Sequence, residues 1–319
     1  MYLNEFAPDL DALDMTGAEE FESLLRSASD LGIPHDRDVR YVSRNTVVQR
    51  QRFHFLEWGD PAGPPLLLLH GGNQSSHSWD LVSLHLADRY RVLALDQRGH
   101  GDSEWARDAA YGIGHMAEDA IAFIAQQGLD QPIMMGHSMG GRVTMEVLKR
   151  RPGIARAAVF VDVGPVISGP GTQAIRNFIQ RNVEFDDLEA FIDRVAEYDP
   201  YRTREHITRT VRYNLIRRAD GRYIAKSDRI LHDPGFRRVR EGDGVPLSIG
   251  LEVVRGFDLP ALVIRGGDSN VLTEQGAEEF AAAMPQGQLQ TVPDCGHNVH
   301  SQNTPGFLEA VTPFLDALT

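Results

Sequence analysis

A serine, a histidine and an aspartate occur in settings that suit nucleophilic catalysis. Ser138 lies in Gly-His-Ser-Met-Gly, between an apolar run that predicts a buried strand and a helical pattern. The five residues fit G-x-S-x-G, a sharp strand-to-helix turn that exposes a serine at a sheet edge. A serine hydroxyl becomes a good nucleophile when an imidazole removes its proton and a carboxylate orients that imidazole. His297, in Asp-Cys-Gly-His, and Asp268, in Arg-Gly-Gly-Asp, are the candidates for these two roles.

Several patterns surround this serine in a characteristic order. Short apolar runs alternate with helical patterns, which predicts a mostly parallel sheet covered by helices. The strand that ends at Asp96 leads into an Asp-x-Arg-Gly-x-Gly-x-Ser turn, which we interpret as structural. From about Val39 to its end the chain resembles the α/β-hydrolase fold superfamily, and within it the serine-nucleophile hydrolases with a helical cap, such as esterases and meta-cleavage product hydrolases. The resemblance implies an α/β-hydrolase fold, with a mostly parallel doubly wound sheet and an inserted helical cap.

The order of the predicted strands and helices divides the chain into four segments. Residues 1–36 are predicted to be an N-terminal extension, with a helix around Gly17–Leu31 that either packs on the core or forms a dimer arm. Residues 37–166 form the first part of the core, and residues 250–319 form the second part. Residues 167–249, which contain helical patterns but no buried strand, are the predicted cap (lid) insertion.

The resemblance also assigns the catalytic residues by their order along the chain, which is nucleophile, acid, base. Here that order gives Ser138, Asp268 and His297. The acid commonly lies three residues after a glycine, and that place, counted from Gly266, is taken by Ser269. Asp268 lies one residue earlier. Some relatives take the acid from the end of the strand after the serine turn, where this chain has Asp162. Asp268 is our preferred acid and Asp162 the alternative.

Acyl transfer needs donors for the oxyanion that forms on the attacked carbonyl. In the resembled fold, one donor is the N–H of the residue after the nucleophile, and the other lies on the loop after the third strand. The buried run Leu66–Leu69 leads directly into His-Gly-Gly. We therefore predict an oxyanion hole made by the backbone N–H groups of Gly72 and Met139.

Composition limits the classes of partner and the location that we expect for the protein. The net charge of −13 and a pI near 5.4 argue against nucleic-acid binding, which requires a basic face. A single cysteine, Cys295, and the lack of a signal-peptide pattern or a long apolar run predict a cytoplasmic protein without membrane contact. No metal-ligand spacing is apparent among the histidines, and the predicted mechanism requires no metal or other cofactor. The expected partner is a small-molecule substrate, and a homo-oligomer is possible.

The predicted reaction is hydrolysis of a carboxylic ester or lactone through an acyl-serine. Between Thr172 and Arg240 the cap carries fifteen Lys or Arg against eleven Asp or Glu. These charges either form ion pairs on a solvated helical surface, or an arginine such as Arg212 or Arg217 meets an acidic substrate group. That basic cap suits the carboxylated substrates of meta-cleavage carbon–carbon hydrolases, which is the first alternative. The second alternative is a weakly catalytic small-molecule receptor on the same fold.

Overall fold

The computed structural model describes residues 17–36, 38–165, 169–232 and 249–318. The strands in this part of the chain are β1 (Tyr41–Val48), β2 (Gln51–Trp58), β3 (Pro65–Leu69), β4 (Arg91–Leu95), β5 (Ile133–His137), β6 (Ala157–Val161), β7 (Glu184–Phe185), β8 (Leu215–Arg217), β9 (Tyr223–Ala225), β10 (Ala261–Gly266) and β11 (Gly287–Val292). The helices are α1 (Gly17–Asp30), α2 (Asp80–Leu86), α3 (Ile113–Gln126), α4 (Met139–Arg150), α5 (Gly169–Arg181), α6 (Leu188–Tyr198), α7 (Arg204–Tyr213), α8 (Leu251–Val254), α9 (Glu274–Ala283), α10 (Val299–Gln302) and α11 (Thr304–Asp316). Two 3₁₀ turns cover Ser76–Trp79 and Arg229–His232.

Eight strands form one sheet in the order β1-β2-β4-β3-β5-β6-β10-β11. Strand β2 is antiparallel to β1 and β4, and the other neighbouring pairs are parallel. The inner parallel strands contain continuous apolar runs, such as Leu66–Leu69, because helices cover both faces of the sheet there. The edge strand β11 is largely polar and partly exposed. The predicted fold class is confirmed.

The helices separate into two layers. Buried side chains of α3, α4 and α9 pack on one face of the sheet, and those of α1, α2 and α11 pack on the other. In α3 the buried positions Met116, Ala120, Phe123 and Ile124 fall on one side of the helix, as its apolar spacing predicts. The parallel strands point their carboxyl ends toward one edge of this sandwich, and the loops at that edge form the site described below.

Helix α1 packs against the core. Phe21 and Leu24 are buried, and the Phe21 ring lies 6.1 Å from the ring of Tyr41 and 6.2 Å from that of Trp58. The described part of the predicted N-terminal extension therefore covers the sheet rather than extending away from it. Residues 1–16 lie outside the described residues.

Between β6 and β10 the structure departs from the all-helical prediction. Helices α5, α6 and α7 are joined by a three-stranded sheet in the order β7-β9-β8, whose strands are only two or three residues long. Strands this short carry no readable alternation of apolar and polar residues. Phe185 and Tyr223 stack across the small sheet, and with Ile192 and Ile207 they form a separate apolar cluster. Residues 169–232 are called the cap below; residues 167–168 and 233–248 of the predicted insertion lie outside the described residues.

Candidate active site

The serine turn has the sharp geometry that its sequence pattern predicts. Strand β5 ends at His137 and α4 begins at Met139, which leaves Ser138 alone between them with φ 51° and ψ −111°. A positive φ is rare for a residue with a Cβ, and the surrounding contacts must hold it in place. A Cβ on Gly136 would lie 2.5 Å from the Gly140 carbonyl carbon, so the two glycines permit the close backbone crossing behind the serine.

A hydrogen-bonded chain connects Ser138 to a buried carboxylate. His297 Nε2 lies 2.9 Å from Ser138 Oγ, and His297 Nδ1 lies 2.7 Å from Oδ2 of Asp162. The Asp162 side chain is fully buried, whereas the His297 ring is 13% exposed. This arrangement can hold an imidazole with its Nε2 facing the serine, so that the ring can take the hydroxyl proton.

The structure places Asp268 away from this chain, so the preferred assignment of the acid is wrong on geometry. Asp268 is exposed, and its Oδ2 accepts a hydrogen bond from the Tyr201 hydroxyl at 3.1 Å. Asp162, the alternative, follows β6, the strand next to β5, and it is the Asp162 carboxylate that His297 Nδ1 contacts.

The carboxylate of Asp162 is held by two further donors. The Gly266 N–H donates to Oδ1 at 3.1 Å, and Ser269 Oγ donates to Oδ2. Ser269 is the residue at the place where the resembled family commonly has its acid. A serine in that place, which cannot replace a carboxylate, was the sequence signal that could have favoured Asp162.

His137 lies next to the nucleophile and was not singled out from the sequence. Its Nε2–H donates to the backbone oxygen of His297 at 2.9 Å, and its ring lies 4.7 Å from the rings of both His297 and His300. Burial lowers the pKa of His137 well below its usual range, and the neighbouring His297 and His300 lower it further. A neutral ring at this position anchors the backbone of the loop that bears His297.

The predicted oxyanion donors lie at the same cavity as Ser138. Gly72 and Met139 both line it, and Met139 is the first residue of α4, where backbone N–H groups have no intrahelical acceptor. Within the described residues, neither N–H donates to a protein acceptor. Gln74 fixes the neighbouring turn, because its Oε1 accepts from the Gly71 N–H at 2.9 Å.

The cavity over Ser138 has a volume of about 1410 Å³ and lies between the core and the cap. Arg142 of α4 and two cap arginines, Arg176 and Arg202, line it. Arg212 and Arg217, the arginines singled out from the sequence, do not line this cavity. Acidic side chains reach it as well, among them Glu197 and Asp199. The cavity is therefore mixed in charge.

One group of side chains among the described residues is spaced closely enough to offer three ligand atoms to a metal ion, namely His54, Asp96 and Asp102. Their atoms already have protein partners: His54 Nδ1 lies 2.7 Å from Asp96 Oδ2, and Asp102 pairs with Lys226 at 2.7 Å. Asp96 also accepts from the Ser76 N–H. These bonds hold the loop after β4, in agreement with its structural interpretation.

The sheet order, the serine turn and the capped cavity define an α/β-hydrolase. The family model of the α/β-hydrolase fold matches residues 64–304, so the chain belongs to that family and is a hydrolase. None of the helices in the described part of the chain has the length and hydropathy that a membrane span requires.

Known relatives cover most of the chain at low identity. The chain is 29% identical to the mouse sn-1-specific diacylglycerol lipase ABHD11, over 81% of this chain and 82% of that protein. It is 27% identical to the esterase Rv0045c of Mycobacterium tuberculosis, over 95% and 98% of the two chains. It is 26% identical to the 2-(acetamidomethylene)succinate hydrolase of Mesorhizobium japonicum, over 91% and 99%. A crystal structure of E-2-(acetamidomethylene)succinate hydrolase superimposes with a TM-score of 0.77, at 24% identity, over 87% of this chain and 100% of that one, which supports the fold.

Proposed function

We propose that the protein hydrolyses a carboxylic ester or lactone of a small molecule through an acyl-serine intermediate. The observation that carries this proposal is the 2.9 Å contact between Ser138 Oγ and His297 Nε2, with Asp162 behind the imidazole. Two relatives support the choice of bond, since their names describe an esterase and a diacylglycerol lipase.

In the proposed reaction His297 removes the hydroxyl proton while Ser138 Oγ attacks the carbonyl carbon. The resulting oxyanion is stabilised by the N–H groups of Gly72 and Met139, and Asp162 stabilises the imidazolium. His297 then gives its proton to the departing alkoxide, which leaves as an alcohol. Water, activated by the same imidazole, releases the acid and restores the serine. In a lactone, the alcohol and the acid are two ends of one product.

Steady-state hydrolysis of p-nitrophenyl acetate, butyrate and octanoate tests the proposal. We expect Ser138→Ala to lose turnover on all three esters, while the surface variant Ser29→Ala keeps the wild-type rate. The chain length with the highest kcat/KM will measure how much of the large cavity the acyl group fills. Wild-type turnover that survives in Ser138→Ala would overturn the proposal.

A second candidate is hydrolysis of a carbon–carbon bond in a carboxylated vinylogous diketone by the same three residues. The observation in its favour is that Arg142 and Arg176 line the cavity and can approach a substrate carboxylate. A 2-hydroxy-6-oxo-dienoate tests it, because loss of the dienoate absorbance in the absence of p-nitrophenyl ester turnover would favour this reaction over ester hydrolysis.

A further inference from the structure

Gln302, the last residue of α10, holds the loop that carries His297 from both sides. Its Oε1 accepts from the N–H of Gly296 at 2.8 Å and from the N–H of Asn298 at 3.2 Å. These are the two residues next to His297. One side-chain oxygen therefore fixes the backbone immediately before and immediately after the proposed base.

The other end of the same amide reaches the cap. Gln302 Nε2 donates to Asp199 Oδ1 at 3.0 Å, and Asp199 Oδ2 accepts from Arg202 Nε at 2.7 Å. Asp199 is 2% exposed, and Arg202 continues to Thr210 of α7 at 3.2 Å. The orientation of the amide is set by its partners, since its oxygen faces two N–H donors and its nitrogen faces a carboxylate.

We propose that Gln302 is a positioning residue that couples the docking of the cap to the placement of His297. When the cap lies on the core, Asp199 holds the amide of Gln302, and the amide holds the backbone on either side of the imidazole. Loss of the cap contact leaves the amide free to rotate, so the base loop loses a constraint. A misplacement of the base by about 1 Å can lower the rate by about a hundredfold. The inference rests on the proposed function, because it assigns His297 as the base.

Three variants separate the contact of Gln302 with the backbone beside His297 from its contact with Asp199 of the cap. Gln302→Met keeps the length of the side chain but removes both sets of hydrogen bonds. Gln302→Glu keeps an acceptor for the N–H groups of Gly296 and Asn298 but places a carboxylate against Asp199. Asp199→Ala removes only the cap end. Tyr201→Phe is the matched comparison, because it removes a cap–core hydrogen bond, to Asp268, that does not reach the N–H groups beside His297.

We expect Gln302→Met to lower kcat by about ten- to a hundredfold, and Gln302→Glu by a smaller factor. The double variant with Asp199→Ala and Gln302→Glu should be more active than Gln302→Glu alone. Asp199→Ala removes the carboxylate that would repel the one introduced at position 302. Because its carboxylate still accepts from Gly296 and Asn298, Gln302→Glu should keep part of the kcat that Gln302→Met loses. Tyr201→Phe should lower kcat less than Gln302→Met does.

The rate at which a fluorophosphonate labels Ser138 gives a second readout that does not depend on the substrate class. We expect this rate to fall in Gln302→Met together with kcat. A labelling rate that is unchanged in Gln302→Met, or a double variant that is slower than Gln302→Glu alone, would overturn the coupling. Rapid labelling of the wild type without ester turnover would instead overturn the proposed ester specificity and leave the coupling supported if Gln302→Met still labels slowly.

Discussion

Ser269 Oγ donates a 2.5 Å hydrogen bond to Oδ2 of Asp162, the same oxygen that accepts from His297 Nδ1. The serine at the end of β10 and the aspartate at the end of β6 thus meet at one point behind the imidazole. The hydroxyl of Ser269 also accepts from the N–H groups of Val271 and Leu272, which fixes its direction. The candidate acid thus follows one strand, and a serine that follows the neighbouring strand donates a hydrogen bond to it.

The two candidate acids can be separated by conservative substitutions. We expect Asp162→Asn to lower kcat by about four orders of magnitude, because an amide cannot stabilise the imidazolium and favours the wrong tautomer. Asp268→Asn, whose partner is Tyr201, should change kcat by less than about tenfold. Ester hydrolysis at saturating substrate measures both. The reverse ranking would return the acid role to Asp268.

The contact between Ser269 and Asp162 predicts that the acid can be moved. Exchanging the two residues in Asp162→Ser with Ser269→Asp puts a carboxylate on the neighbouring strand end, within reach of the same imidazole. We expect the exchanged protein to exceed the kcat of Asp162→Ser by at least about tenfold, since a carboxylate near the ring restores part of its stabilisation. An exchanged protein no faster than Asp162→Ser would show that β10 cannot present an acid to His297.

The N–H of Gly72 can be tested without removing a side chain. A Cβ at Gly72 would have Met139 Sδ as its nearest neighbour, at 4.0 Å, so Gly72→Ala should fit and keep most activity. Gly72→Pro lacks the N–H and should lower kcat by about a hundred- to a thousandfold, the typical effect of losing one oxyanion donor. Circular dichroism and thermal unfolding establish that the proline variant is folded. Equal kcat values for the two folded variants would exclude Gly72 as a donor.

Acid sensitivity of folding follows from a buried histidine beside the site. His300 stacks on Trp79, and burial, with Arg202 nearby, lowers its pKa from 6.5 to about 3. In the unfolded chain the ring binds a proton below about pH 6.5, whereas in the native protein it stays neutral down to about pH 3. Its contribution therefore lowers the free energy of unfolding as the pH falls from 6.5 toward 3.

When the pH falls from 7.5 to 5.5, the free energy of unfolding of His300→Phe should rise by about 1.4 kcal/mol relative to that of the wild type. The reason is that the variant has no imidazole at this position to bind a proton on unfolding. Urea unfolding at the two pH values measures the change. His85→Gln, at a half-buried histidine on α2, is the comparison. A pH-independent difference between wild type and His300→Phe would contradict the neutral state of this ring.

Most of the fold could be predicted because its signals are local. A buried parallel strand needs a continuous apolar run, as in Leu66–Leu69, and the serine turn needs glycines where Gly136 and Gly140 cross. Helix α1 could be predicted from the spacing of its apolar residues Phe21 and Leu24. The small sheet of the cap was missed because Glu184–Phe185 and its neighbours are too short to carry a period.

Less of the site could be predicted from the sequence, because the site depends on contacts between residues that are distant along the chain. Aspartates follow both β6 and β10, and only the three-dimensional contacts show that Asp162 meets His297 whereas Asp268 meets Tyr201. Gln302 had no sequence signal, since its role depends on the meeting of α10 with Asp199 of the cap. Such contacts join residues more than a hundred positions apart.

The most direct test of the acyl-serine proposal is to trap the intermediate. Wild-type protein mixed with a p-nitrophenyl ester, quenched in acid within the first turnover and digested, should yield the peptide containing Ser138 heavier by one acyl group. The same treatment of Ser138→Ala should yield no acylated peptide. Ester turnover by the wild type with the acyl group on a different residue, or with Ser138→Ala equally active, would contradict the account.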